Sequence, residues 1–306
     1  MGPAIIDAKK NKAGMLYGAF SFVLWGVLPL YWKLLQAVPP LEILYHRIFW
    51  SFVIMVAVVF LSKKWESMVD IFCDVRKLIP VFLCGILISI NWYIYIYAVN
   101  TDQVIEASMG YYMTPLVMVM LGVTVFKERL NRWQLSAIVL AALGVIIVTV
   151  QYGRVPWIAL VLACSFAIYG LVKKMVAVDS IIGLTMETLI VMPVALFFII
   201  KLETGGTGTF VTAPFALSLI LAGSGIVTAT PLLLYARGIE KTTFSMIGFL
   251  QYIAPSINLF LGIFVFKEHF TLSHLISFCF IWAGLVIFTM SNVGILRESL
   301  PVQAGK

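Results

Sequence analysis

Apolar residues come in long stretches along this chain, and charged residues collect in the short gaps between them. The stretches fall at residues 13–35, 41–61, 78–99, 104–126, 133–150, 155–173, 180–200, 213–236, 243–266 and 273–291. Roughly 20 apolar residues in a helix cross the hydrocarbon of a bilayer, so each stretch predicts one transmembrane helix. Strands of a membrane barrel would alternate apolar and polar positions over about 10 residues, and these stretches do not. The expected fold is all-α, a polytopic membrane protein of ten transmembrane helices. The longest gap, 62–77, sets Trp65, Met68 and Val69, Phe72 and Val75 at helical spacing and predicts a short helix lying in the interface. Residues 204–212, rich in Gly and Thr, predict a flexible connection.

The pattern also repeats. Val125-Phe126-Lys127-Glu128 recurs as Val265-Phe266-Lys267-Glu268, and the offset of 140 holds elsewhere without a gap. Gly85 falls on Gly225, Tyr112 on Tyr252, Pro115 on Pro255 and Gly144 on Gly284. Two units follow, residues 13–150 and 151–291. Five spans per unit is an odd number, so the second unit enters the membrane from the opposite face. The result is a 5+5 inverted-topology repeat, an architecture of secondary transporters, because one fold and its inverse supply two states open to opposite sides. Channels contain such repeats too.

Composition excludes a soluble alternative. Of 306 residues, 62% are hydrophobic and 11% charged, against about 25% charged in an average soluble domain. The net charge of +7 does not form a nucleic-acid surface, because the Lys and Arg sit at span ends. Lys9, Lys10, Lys12, Lys63, Lys64, Arg76, Lys77, Lys127, Arg129, Arg132, Lys173, Lys174, Arg237, Lys241, Arg297 and Lys306 fall on one side, sixteen in all. Only Lys33, Arg154, Lys201 and Lys267 fall on the other, which places both termini in the cytoplasm. The polar N-terminus leads into a first span too long for a cleaved signal, and Gly2-Pro3 with Ile6 offers no lipidation motif. Cys73, Cys84, Cys164 and Cys279 lack metal or disulfide spacing and read as small hydrophobic residues. Walker A, GxSxG and HExxH sequences are absent, so neither an enzyme nor an ATP-driven pump is expected, and no cofactor or metal.

Ionisable groups inside a span cost roughly 2.5–3.5 kcal/mol and need a reason. Arg47 lies about two turns inside span 2, and its counterpart at the 140 offset is Glu187 in span 7. Arg47 suits an anionic or carbonyl group of a substrate, and Glu187 a cation or a coupling proton; each could instead tie helices together. His46 follows Glu42 by one turn and is either its partner or a proton relay. In span 3, Asn91, Trp92 and Tyr95 suit a wet cavity, while Tyr93 and Tyr97 suit the interfacial belt. Span 4 carries Ser108, Tyr111, Tyr112 and Pro115, mirrored in span 9 by Gly248, Gln251, Tyr252, Pro255 and Asn258, while Glu106, close to the outer end of span 4, reads as solvated. A mid-span proline removes a helical hydrogen bond and bends the helix, so Pro115 and Pro255 predict paired hinges near a central site. Both Phe-Lys-Glu copies read first as end caps. Ala137, Ala141 and Gly144 form a small-residue stripe suited to helix packing or to an oligomer contact.

Phe-Lys-Glu closing spans 4 and 9 of a duplicated ten-span chain resembles the EamA branch of the drug/metabolite transporter superfamily. His46-Arg47-Ile48-Phe49-Trp50-Ser51, Asn91-Trp92, and Ala107-Ser108-Met109-Gly110-Tyr111-Tyr112 resemble the RarD-type, "chloramphenicol-sensitive" proteins within it. The resemblance implies a transporter of the bacterial inner membrane that exports small metabolites or drugs; lipid and a small-molecule substrate are the expected partners, and proton antiport, exchange and facilitated diffusion all stay open as the driving force. It further implies a cavity built from spans 1, 3, 4, 6, 8 and 9, which adds Trp25 and places Arg47 near the cavity edge.

Overall fold

A computed structural model describes residues 8–101, 103–153, 155–176, 178–265 and 272–293. Among them every regular element is a helix. In chain order these are α1 (Ala8–Lys33), α2 (Pro40–Leu61), α3 (Trp65–Cys73), α4 (Val75–Asn100), α5 (Val104–Thr124) and α6 (Arg132–Tyr152). The second half holds α7 (Trp157–Met175), α8 (Ser180–Thr204), α9 (Phe215–Lys241), α10 (Phe244–Leu250), α11 (Ile253–Phe264) and α12 (Leu272–Val293). Eight segments are long and apolar enough to cross a membrane, with α10 and α11 counted together; within α6 and α12 the apolar parts, 132–147 and 275–291, are shorter. Of the ten expected spans, eight are therefore matched by segments of membrane-spanning length; at the other two the apolar parts of α6 and α12 are shorter. The outer surface is apolar, with Phe20, Phe197 and Leu219 each more than 60% exposed, as a protein solvated by lipid tails requires. Cys73, Cys164 and Cys279 are exposed on it and only Cys84 is buried.

Side-chain contacts sort the helix ends into two sets. At the first end, the Thr242 hydroxyl after α9 bonds Asn11 of α1. Lys64, just before α3, pairs with Asp179, the N-cap of α8, at 2.5 Å. Burial raises the Asp179 carboxyl, but the Lys64 ammonium and the amides of Ile181 and Ile182 outweigh it and hold the group below its ordinary range. Lys174 at the end of α7 donates to the Ile239 and Thr242 carbonyls at 2.9 and 2.5 Å. Glu128 accepts from the Phe244 and Ser245 amides that open α10, at 2.6 and 2.9 Å, so the first Phe-Lys-Glu copy caps a helix of the other half. Lys267-Glu268 of the second copy lies outside the described residues.

At the second end, Glu106 near the start of α5 is 1% exposed and accepts from the Ile158 amide in the first turn of α7 at 2.7 Å. A carboxylate there offsets unsatisfied N–H groups and the positive end of the helix dipole. Glu42 accepts from the Thr209 amide and hydroxyl at 2.6 and 2.7 Å, and Glu203 accepts from the Phe210 amide at 3.0 Å. The Gly/Thr segment 204–212, expected to be a flexible connection, is thus held by two carboxylates. The interfacial helix forms as α3, with Met68 and Ile71 inward and Trp65, Val69 and Phe72 outward.

The helices pack in related pairs. α1 lies on α9 and α7 on α4; α2 on α9 and α8 on α4; α5 on α7 and α11 on α1. α2 also meets α8, α5 meets α10, and α6 meets α12. In the last seam a Cβ on Gly144 would come within 2.8 Å of the Ser277 carbonyl, and one on Gly284 within 2.7 Å of the Ala137 carbonyl. Ala137 and Ala141 are fully buried there, so the small-residue stripe serves packing inside the chain. The expected pair of hinges is unequal. The helix breaks at Gln251 and Tyr252, where Pro255 has no N–H for the Gln251 carbonyl, whereas α5 runs unbroken through Pro115. Gly248 precedes the break and Ser108, a better helix former, stands at the matching place in α5.

Gly144→Leu is expected to overpack the α6–α12 seam and destabilise the protein by about 1–3 kcal/mol. A lowered melting temperature of the protein in detergent checks it; an unchanged one would mean the seam is looser than these contacts state.

Candidate functional site

A cavity of about 190 Å³ opens between the two halves. Its wall comes from α1 (Phe22, Trp25, Leu28, Pro29, Trp32), α4 (Ile88, Asn91, Trp92, Tyr95) and the stretch Gln251 to Asn258, with Arg47, Tyr111, Thr114, Leu162, Phe166 and Leu232. The volume falls below the roughly 300–1,000 Å³ of drug-sized sites. The cavity lies toward the second end: Trp32 is the penultimate residue of α1, and Tyr111 is two turns into α5. Toward the first end the space is filled by Phe22, Met118, Tyr169, Tyr235, Phe244, Phe249 and Tyr252, all buried.

Arg47 is the charge in this wall. Its guanidinium carbon sits 5.1 Å from the Trp32 ring centre and 4.9 Å from that of Trp92, within cation–π range. Its Nε donates to the Thr228 hydroxyl at 3.2 Å. Among the described residues no carboxylate pairs with it. A guanidinium carries five N–H donors, so most of its capacity is uncommitted. Two acceptors on the lining residues are also open: Oε1 of Gln251 and Oδ1 of Asn258 are buried without a hydrogen bond. Asn91 is spent on structure, with its amide donating to the Leu162 carbonyl and the Ser165 hydroxyl at 2.9 Å each. Much of the rest of the wall is aromatic, Trp25 lying 5.9 Å from Phe166 and Tyr95 lying 6.0 Å from Tyr111. The arrangement offers one cation, two neutral acceptors and apolar ring faces.

Of the residues singled out from the sequence, Trp25, Arg47, Asn91, Trp92, Tyr95, Tyr111, Gln251, Asn258 and Pro255 line this cavity. Ser108, Tyr112, Tyr252, Pro115, His46 and Glu187 do not. Tyr112 packs edge-on against Phe278 at 5.4 Å, and Tyr252 is fully buried beside Phe249. Glu187 is 3% exposed; one oxygen meets the Lys173 ammonium at 2.6 Å and the other accepts from the Tyr169 hydroxyl at 3.0 Å. Beside it is a space of about 10 Å³, room for roughly one water. His46 lies against Phe210 of the 204–212 segment, ring centres 4.8 Å apart. Sequence reasoning missed Trp32, although Trp25, Leu28, Pro29 and Trp32 follow helical spacing and share a face. It also took Lys173 for a loop charge and Glu106 for a solvated one.

The chain matches the EamA-like transporter family twice, over residues 12–150 and 155–290. It is 46% identical to "Uncharacterized transporter YojE" of Bacillus subtilis, covering 95% of this chain and 98% of that one. Identity to "Protein RarD" of Escherichia coli is 36%, covering 96% and 99%. Identity to "Chloramphenicol-sensitive protein RarD" of Pseudomonas aeruginosa is 26%, covering 93% and 96%. A solved crystal structure shares the fold at a TM-score of 0.68 and 18% identity, over 93% of this chain and 99% of its own. With two matches that together span nearly its whole length, and eight segments long and apolar enough to cross a membrane, this multi-pass membrane protein belongs to the EamA-like transporter family.

Proposed function

We propose that the protein is a secondary transporter of the bacterial inner membrane, with both termini cytoplasmic, that exports small amphipathic metabolites by alternating access. Its substrates carry a carboxylate or a similar anionic group on a largely apolar, amino-acid-like body. The observation that carries this reading is Arg47, held in the cavity wall between Trp32 and Trp92 with no carboxylate among the described residues to neutralise it. An anionic group supplied by a substrate would complete it through charge-assisted hydrogen bonds. The open amide oxygens of Gln251 and Asn258 suit a donor on the same molecule, and the indole and phenol rings suit its body.

The alternating-access part draws support from the packing. Exchange α1 with α7, α2 with α8, α4 with α9, α5 with α10 and α11, and α6 with α12, and each of the packed pairs named above maps onto another of them or onto itself. Gly144 against Ser277 becomes Gly284 against Ala137 under the same exchange. A ten-helix inverted repeat has this property, with α6 and α12 as the short fifth helix of each unit. Of the sixteen basic residues, the fourteen that are described lie toward the end of Lys64 and Lys174, which supports a cytoplasmic first end. The conformation is then closed to the cytoplasm through Glu128 and Lys174, with the cavity displaced outward.

Purified protein should bind L-phenylalanine or a similar amino acid more tightly than the corresponding amine lacking the carboxylate, and in vesicles it should show saturable counterflow. Equal binding of acid and amine would overturn the assignment to Arg47; flux without counterflow would make the protein a pore.

Arg47→Ala is expected to weaken binding about 10- to 100-fold, as loss of a charge-assisted bond worth about 1.5–3 kcal/mol implies. Among the described residues Arg47 makes a single hydrogen bond, so the melting temperature should move little. Arg47→Lys keeps the charge without the planar fork and should fall between. A folded Arg47→Ala protein with full flux would remove the residue from the site.

Glu187 is the candidate for proton coupling, and its pairing with Lys173 gives it a competing structural task. Glu187→Gln strands a buried ammonium and should destabilise by about 3–5 kcal/mol. Adding Lys173→Met should recover most of that. The coupling role requires the recovered double variant to lose the pH dependence of uptake; uptake that keeps its pH profile would leave Glu187 structural.

A further inference from the structure

At the second end of the bundle, ligand atoms of Glu42, His46 and Glu203 all lie within 4.8 Å of one another. Glu42 and His46 occupy successive turns at the start of α2, and Glu203 is the penultimate residue of α8. His46 is 2% exposed, and neither ring nitrogen has a hydrogen-bond partner. The helical pairing of Glu42 with His46 suggested by their spacing therefore does not form: Glu42 bonds Thr209 instead. We infer that Glu42, His46 and Glu203 form a binding site for a divalent transition cation of the zinc class, a metal the sequence reading did not expect.

Charge is the first argument. Two carboxylates face one another in a largely buried pocket, and among the described residues no Lys or Arg pairs with either. A divalent cation neutralises both at once, whereas a proton on His46 neutralises one. Ligand chemistry is the second. Imidazole nitrogen and carboxylate oxygen are both zinc donors, and three protein ligands leave a fourth position open for water. An unpartnered imidazole at this depth is costly in any other role.

The carboxylates are also pre-aligned. Thr209 fixes Glu42 through its amide and hydroxyl, and the Phe210 and Val211 amides reach Glu203 at 3.0 and 3.4 Å. A carboxylate has about four lone-pair sites, so each keeps capacity for a metal. Donors that orient metal ligands in this way raise affinity. At bond lengths of about 2.0–2.2 Å, tetrahedral ligand atoms sit roughly 3.4 Å apart, so the side-chain tips must close by up to about 1.4 Å. Glu203 is half-buried and gives the ion a path from solvent. Phe210 stacked on His46 closes the opposite side.

Bound there, the ion pins the α8–α9 connection to α2. It would hold the residue next to His46, which is Arg47, against movement of that connection. The site does not depend on the transport reading, and its test needs no substrate.

Tag-free, chelator-treated protein in detergent is titrated with zinc chloride alone, by calorimetry and by thermal shift. One saturable site with a raised melting temperature is expected. His46→Ala and Glu203→Gln should each weaken it at least tenfold, since even groups behind metal ligands contribute 10- to 100-fold. His274 stands in the first turn of α12 and His269 lies outside the described residues; His274→Ala with His269→Ala should leave the titration unchanged. Should His46→Ala not fold, Glu203→Gln at the half-buried position carries the test. No saturable binding overturns the inference. So does binding that both cluster variants retain, which would mean an adventitious ion only.

Discussion

A charge or an open hydrogen-bonding group keeps its place in a lipid-solvated bundle only where the chain itself satisfies it, because hydrocarbon offers no partner. The buried ionisable groups of this protein sort by that constraint. Glu187 is neutralised by Lys173 and steadied by Tyr169. Glu106 and Glu128 each sit on the first amides of a helix from the other half, where backbone N–H groups are otherwise unsatisfied. These carboxylates join the halves at both ends through contacts that bind ends of helices and leave their middles free. Arg47 stands apart, solvated by two indoles and one hydroxyl in place of an acid. Among the described residues Arg47 is a deep cation beside the cavity with no carboxylate paired to it, which marks it for a partner brought from outside.

Much of this was legible in the sequence, for a reason the same constraint supplies. Lipid punishes polar residues in spans, so Arg47, Asn91, Gln251 and Asn258 stood out against apolar neighbours before any coordinates, and all four line the cavity. What failed was the assignment of faces. Tyr112 and Tyr252 occupy matching positions beside Pro115 and Pro255, yet both turn into packed aromatic core. A helix surrounded by protein buries more than one face, so spacing alone does not choose between core and cavity. Distance from a span end misled in the same way. Glu106 lies within the first turn of α5 and looked solvated, but the start of α7 abuts it. Glycine and threonine between 204 and 212 suggested looseness, and the segment is instead fastened by Glu42 and Glu203, residues remote in sequence or hidden in an apparent span. Long-range partners of this kind leave no trace in local composition.

The halves match in how they pack and differ where the proposed function needs them to. α5 is continuous while its counterpart divides into α10 and α11 at Gln251 and Tyr252. That division puts Gln251 at a helix terminus and Asn258 just beyond, both in the cavity wall. Position 47 became a cation and position 187 an anion; the first faces the cavity and the second an internal ammonium. On the reading proposed here, duplication supplied two conformations through near-equivalent packing, and divergence placed the recognition groups in one of them.

Position along α2 ties the rim to the cavity. Consecutive helical residues point about 100° apart, which lets His46 reach Phe210 and the rim carboxylates while Arg47 reaches Trp32 and Trp92. Any outward gate that opens by moving the α8–α9 connection must part Phe210 from His46 and Thr209 from Glu42. Those contacts bear on the helix turn that carries the guanidinium. A substrate drawing Arg47 inward and a cation holding His46 outward would therefore act on the same turn of α2. Their effects on each other must be reciprocal, because both work through one equilibrium.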